Sequence, residues 1–275
     1  MLRELKNKVF VIYLILSAFL VVLPLFHILF SVFANGIPVL LKYGLAFLTE
    51  TLPAPNREGG GIFPAIYGTF MMVFLASLMG IPLAVLAGIF VAEYPNNALS
   101  RATRSLLLIM LEFPTILVGL FVMVILVMPI GSFSALAGAF ALMIVMLPYV
   151  ATYTEQAMRS VPAQYKEGAY ALGLRKVRVV FSITLKIAKK GVITGLLIGM
   201  AKVSGETAPL IFTAGNAWRS TGGVLEPVGA IPLWIYYLVQ QPYANYHEIA
   251  WGAALVLMLF FLAVFLPIRL IMVRT

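Results

Sequence analysis

Two ionisable residues of opposite charge, Lys202 and Glu206, sit four apart inside an apolar stretch that runs from Lys190 to Gly215. Glycines at 191, 195 and 199 precede them. On a helix, positions 195, 199, 202 and 206 follow one another at steps of four, three and four and share one face. Such a face packs against protein or lines a path; it does not face lipid. Lys202 stands about 18 Å along a helix axis from Lys190, and Glu206 about 6 Å further. Ionisable groups at such depth are costly and count as functional candidates. Two chemistries fit: the charges neutralise each other, or the ammonium attracts an anion in a low-dielectric passage. Gly191, Gly195 and Gly199 make two overlapping GxxxG steps, which allow close helix approach either inside the chain or between subunits.

Other chemistries are hard to assemble. The chain has no cysteine and no aspartate, so disulfides, thiolate catalysis and cysteine metal sites are excluded. His27 and His247 stand far apart without ligand partners, and neither reads as a metal ligand. A membrane-embedded enzyme is therefore the weakest reading. No GxxxxGK[ST] run is present, so the chain cannot itself hold a P-loop ATPase site. A self-contained ion-coupled carrier is disfavoured because the first three spans show no repeat in the last three.

The elements that must carry these residues are membrane helices. The sequence is 62% hydrophobic and 11% charged, and runs of about 20 apolar residues read as bilayer crossings. The reading is an all-α membrane protein with six spans, at about 9–34, 63–92, 105–128, 133–154, 191–213 and 249–268. The basic start at Arg3, Lys6 and Lys8 resembles a signal peptide, but the apolar run is too long for one and is read as a retained span. Residues 35–62 and 214–248 are read as external loops. The apolar run 228–239 is too short to cross and is expected at the surface. The net charge of +9 reports orientation, not a nucleic-acid partner. Fifteen basic residues fall on the side of the two termini, against Lys42, Arg57 and Arg219 on the other. The positive-inside rule makes the termini and the polar 155–190 loop cytoplasmic.

Within that loop, residues 161–173 read as a short helix that Pro162 opens and Gly173 ends. Ala169, Leu172 and Tyr165 give it an apolar side, suited either to the bilayer surface or to a partner. The spacing decides between them. Glu167-Gly168-Ala169, then Gly173, then Ile183 and Leu185 resembles the EAA signature of binding-protein-dependent ABC importer permeases. Two departures are visible: Gly168 replaces the middle alanine, and Lys186 stands where proline is usual. The first weakens the helix by roughly 1 kcal/mol.

The resemblance covers nearly the whole chain. Ala92-Glu93-Tyr94, Pro114-Thr115-Ile116-Leu117-Val118-Gly119, Leu147-Pro148-Tyr149 and, above all, Gly205-Glu206-Thr207-Ala208-Pro209-Leu210 are similar to the phosphate branch of that family. The resemblance implies a type I importer permease fold, with the chain forming half of a translocation pathway for inorganic phosphate in the cell membrane. It implies a second permease subunit, two copies of an ABC ATPase and an external phosphate-binding protein. No cofactor is expected on this chain, and ATP and Mg belong to the partner ATPase. Glu167, Gly168, Ala169, Tyr170, Leu172 and Gly173 become the candidate ATPase-coupling residues. Lys202, Ser204, Glu206, Thr207 and Glu155 become the candidate substrate-pathway residues. Relatives usually carry arginine where Lys202 stands; lysine keeps the charge and loses the forked geometry. Glu206 could accept the proton that phosphate carries and sulfate lacks, which gives one residue a means of discrimination. Glu155 matches a family glutamate, and Thr152 stands where an arginine is common. Glu112 is read as structural. The alternative reading is a permease for another oxyanion: molybdate, tungstate or sulfate.

Overall fold

The computed structural model describes residues 2–273, with side chains throughout except at positions 2, 5, 264, 265 and 267–273. Arg274 and the side chain of Arg269, part of the basic count above, therefore lie outside the described residues. All regular structure among the described residues is helical. In chain order the helices are α1 (Leu2–Tyr43), a single turn α2 (Ala46–Thr49), α3 (Phe63–Glu93), α4 (Ala98–Glu112) and α5 (Thr115–Val122). A π turn, Met123–Val127, leads from α5 into α6 (Met128–Ile130). Then come α7 (Ala135–Arg159), the short cytoplasmic candidate α8 (Ala163–Ala171) and α9 (Lys176–Val179). A second π turn, Val180–Thr184, precedes α10 (Leu185–Ser204); α11 (Ala208–Ile211), α12 (Ile231–Leu238) and α13 (Ala244–Val273) complete the chain.

Helix α7 is the post around which the others stand. It begins at Ser134, whose side chain caps the first turn by accepting from Ala137 N. Helix α3 runs parallel to it, because Gly80 faces Met143 and Met146 while Gly88 faces Ala151 and Thr154. Helix α10 runs antiparallel, with Gly191 on Ala157, Gly195 on Tyr153 and Gly199 on Val150 and Met146. The GxxxG steps are thus internal packing. A methyl group at Gly195 would lie 2.5 Å from Tyr153 Cβ, so only glycine permits this approach. Helices α1 and α13 pair antiparallel: Gly36 lies on Trp251 and Leu255, and Lys42 pairs with Glu248 at 3.1 Å.

Four helices among the described residues are long and apolar enough to cross a bilayer, and the α4–α5 pair makes a fifth if it is one bent crossing. The expected span over 105–128 is not a single rod. Phe113 adopts ψ 131° ahead of Pro114, and the chain turns by 104° between Ala98–Glu112 and Thr115–Ile130. Proline disfavours the helical region for the residue before it, and the bend falls there. Residues 35–43, expected as loop, continue α1 until Gly44 at φ 58°. Gly36 is there for close packing and breaks nothing.

The expected surface run 228–239 is instead inside the fold. Val228, Ala230, Ile231, Leu233, Trp234 and Leu238 are all buried, and Trp234 packs against Trp218 with tilted rings whose centroids are 5.1 Å apart. The strand of loop entering α12 presses on α3, where Thr69 Oγ1 accepts from Ile231 N at 2.9 Å. Gly68 touches the Gly229 carbonyl so closely that no side chain fits. Shortness ruled out crossing the membrane but did not rule out burial against neighbouring helices.

Overpacking at such sites costs about 1–3 kcal/mol or more. We expect Gly68→Val and Gly195→Leu each to lower the thermal midpoint and folded yield of detergent-solubilised protein. Gly168→Ala, at a helical glycine with nothing within 4 Å, is expected to leave both unchanged or slightly improved. Equal tolerance of all three by size-exclusion and melting assays would contradict this packing.

Candidate functional site

The charge pair forms as expected, but at the end of a helix and not within one. Ser204 is the last residue of α10, Gly205 closes the helix, and α11 restarts at Ala208-Pro209. Proline is pre-organised for a first helical turn and cannot donate to the turn before it, so the break belongs to the sequence. Lys202 Nζ donates to Glu206 Oε1 at 2.5 Å across the break. Ser204 Oγ donates back to Met200 O at 2.7 Å, and Thr207 occupies the position before α11 without a side-chain capping bond. After the break, Pro209 sits on Gly119 of α5 and Leu210 on Gly138 of α7. Helices α5 and α7 therefore hold the segment after the break.

The pair is deep. Gly199 and Gly80 both lie against Met146, and Gly80 is near the middle of α3. Lys202 stands one turn beyond Gly199. The pair is also asymmetric: the Glu206 side chain is 8% exposed and that of Lys202 is 42% exposed. A buried carboxylate needs a partner, and here the partner is an ammonium that still has an open side. Lys202 carries three donors. An oxyanion approaching from that side would meet both a cation and a carboxylate.

Glu155 is not brought to this pair. It lies nine residues beyond Met146 on α7, about 13 Å along the axis. Its side chain, at a helix end where solvation is the simpler expectation, is only 5% exposed. Two guanidiniums meet Glu155 Oε1: Arg104 of α4 at 3.2 Å and Arg159 one turn on at 2.9 Å. The Glu155–Arg159 spacing of four was legible on any helix; Arg104 arrives only through the fold. Glu112, at the last position of α4, is exposed.

The coupling candidates form a third group. Helix α8 starts after Pro162 and ends at Gly173, which takes φ 78°. Leu172 is 82% exposed, Tyr165 and Tyr170 are exposed as well, and Glu167, Gly168 and Gly173 are on the open surface. Ala169 alone turns inward. The sequence reading grouped Ala169 with Leu172 and Tyr165; the helical spacing does put the three near one face, but only Ala169 is covered by the fold. Contacts from this segment to the end of α3 were not anticipated. Lys166 Nζ pairs with Glu93 at 2.5 Å, and Lys176 Nζ donates to Glu93 O at 3.0 Å while lying 3.6 Å from the centre of the Tyr94 ring. An isolated Glu-Tyr after an apolar run was the only signal for them.

These features define a multi-pass, all-helical membrane protein with a polar break inside the bundle and an exposed helix between spans. Comparison with known proteins narrows the class. Residues 80–274 match the family described as binding-protein-dependent transport system inner membrane component, and the chain belongs to that family. It is 56% identical to a protein named probable phosphate transport system permease protein PstA from Methanocaldococcus jannaschii, across 98% of this chain and 94% of that one. A relative named phosphate transport system permease protein PstA from Yersinia pestis is 37% identical over 94% of this chain and 86% of its own. Among solved structures, an inward-facing form of the MetNI methionine ABC transporter aligns with a TM-score of 0.56 at 18% identity, covering 78% of this chain and 92% of that one. The likeness to that structure is one of fold.

Because Glu155 is buried and each arginine is partly exposed, removing one guanidinium leaves the other in place. Removing both strands a carboxylate. We expect Arg104→Ala and Arg159→Ala to be mild singly and the double variant to lose about 1–3 kcal/mol beyond their sum. A denaturation cycle in detergent that returns simple additivity would contradict a shared partner.

Proposed function

We propose that this chain is the permease subunit of an ATP-driven importer of inorganic phosphate. It would work with a second permease, two ATPase subunits that use ATP and Mg, and an external phosphate-binding protein. The observation that carries the reading is near-full-length likeness to phosphate permeases at 56% identity. The site chemistry supports it. Lys202 offers charge and donors to an oxyanion, and Glu206 accepts the proton of a protonated phosphate that sulfate lacks. Ser204 and Thr207 flank the turn, and Glu155 with its two arginines stands further along α7 toward the cytoplasmic end.

The same reading assigns six crossings with both termini cytoplasmic. Helix α10, which carries Lys186, Lys189, Lys190 and Lys202, is the least apolar crossing and ends inside the bundle. The relative directions of the helices support the order: α3 parallel to α7, α10 antiparallel to α7, and α1 antiparallel to α13. With 155–190 in the cytoplasm, Leu172, Tyr165 and Tyr170 present an apolar surface to the ATPase groove. ATP binding would draw α8 with the closing ATPases and rock the bundle between outward and inward access. The pair at Lys202 would meet phosphate only transiently, since tight binding slows release.

The transporter reconstituted with its ATPase and binding protein tests this directly. We expect Lys202→Ala to cut phosphate uptake by at least about tenfold, the equivalent of about 1.4 kcal/mol. Lys202→Arg should retain most of it, and Glu206→Gln should narrow the difference between phosphate and sulfate. Normal phosphate uptake in both Lys202→Ala and Glu206→Gln would sink the site assignment, and uptake of sulfate but not phosphate by the parent would sink the substrate. Orientation is open to single-cysteine labelling, because the chain has no cysteine. A reagent confined to the outside should modify Asn56→Cys and spare Tyr165→Cys.

A further inference from the structure

The short helix α8 has little to hold it by packing. Ala169 is its one buried residue, and a single alanine contributes little apolar burial. Yet the segment around it grips the cytoplasmic end of α3 at three points. Arg159 Nη2 donates to Val91 O at 3.4 Å, Lys176 Nζ donates to Glu93 O at 3.0 Å, and Lys166 Nζ donates to the Glu93 carboxylate. Lys176 also lies over the Tyr94 ring. A helix C-terminus leaves its last four carbonyls unpaired and carries partial negative charge, so cations are favoured there. Glu93 adds a full negative charge at the same place. Its side chain is 6% exposed and that of Lys166 is 23% exposed, so this link is shielded from solvent and salt more than a surface pair would be.

We propose that Glu93 and Lys166 are positioning residues that clamp the coupling helix to α3. In this arrangement motion of α8 reaches the bundle by two routes. One follows the chain through α9 and the Val180–Thr184 turn into α10. The other crosses the clamp into α3, which is seated on α7 along Gly80 and Gly88. Since α10 is seated on the neighbouring face of α7, with Met146 touching both Gly80 and Gly199, the second route makes α3, α7 and the Lys202 turn respond together. The inference rests on the proposed coupling of α8 to an ATPase and adds a transmission element that the ATPase does not touch.

The test is to measure ATP hydrolysis and phosphate uptake in the same proteoliposomes holding the full transporter. We expect Glu93→Gln to leave ATPase copurification and hydrolysis near the parent level and to reduce phosphate moved per ATP about fivefold, within the range of measured coupling effects. Lys166→Gln should do the same, and the double variant should be no worse than either single one, because both remove one link. Lys176→Gln, at an exposed position that leaves the buried pair intact, should give a smaller loss in the same ratio. An unchanged ratio in Glu93→Gln and Lys176→Gln, or additive losses in the double variant, would overturn the clamp. If the parent responds to another oxyanion and not to phosphate, the substrate reading fails, and the same ratio measured with that anion still decides the clamp.

Discussion

The constraint on which this structure depends is the closeness with which two helices lie on α7. Helix α3 meets it through Gly80 and Gly88, and α10 through Gly191, Gly195 and Gly199. In a bilayer there is no hydrophobic drive between helices, since lipid tails are as apolar as leucine; association rests on van der Waals contact and polar links. Small residues are what make that contact extensive. The result is a three-helix unit whose register is fixed by backbone approach and cannot slip by small amounts. A charged group deep in such a unit keeps its position because its helix has no freedom to rotate.

Seen from that unit, the charged residues fall into a graded series. Lys202 and Glu206 lie at the middle, where α10 stops. Glu155 and its arginines lie further along α7, and Glu93 with Lys166 and Lys176 closes the end of the unit where α3 stops. All three are held across elements or across breaks, and all three pair a mostly buried carboxylate with more exposed cations. Burying a carboxylate is costly unless it is paired, and pairing with a cation that can still reach water lowers the cost. The asymmetry has a chemical consequence as well. The fixed anions set the geometry, and the cations retain free donors with which to meet something else.

The sequence made the class of the fold and the depth of the charge pair legible, because both rest on local signals: apolar run length, glycine spacing and the distance from Lys190. The end of α8 at Gly173 was equally local. What could not be seen was where helices stop for tertiary reasons. Gly205 and Pro209 bracket Glu206 and break the helix, but an apolar count runs straight through them. Pro114 hides in the same way inside 105–128. Burial of 228–239 depended on Trp218, Thr69 and Gly68, all distant in sequence. The partners of Glu155 and Glu93 were likewise invisible, since Arg104 and Lys166 arrive from other helices.

The break at Gly205 also decides where Glu206 goes, whereas Lys202, still inside α10, keeps the place that helix gives it. In an unbroken helix, residues 202 and 206 stand one turn apart on one stripe, the same stripe that Gly195 and Gly199 press against α7. Ending α10 at Ser204 lets the chain turn, so that Glu206 folds back into the bundle while Lys202 stays on the rim of the helix with its side chain 42% exposed. Non-helical backbone at membrane depth is tolerated only where protein buries it or where it lines a cavity. Here Pro209 on Gly119 and Leu210 on Gly138 supply the burial on one side, and the ammonium of Lys202 marks the side that is left open. A helix terminus, a deep cation and a carboxylate turned inward thus converge on one turn. A small anion reaching that turn would meet both a cation and a carboxylate.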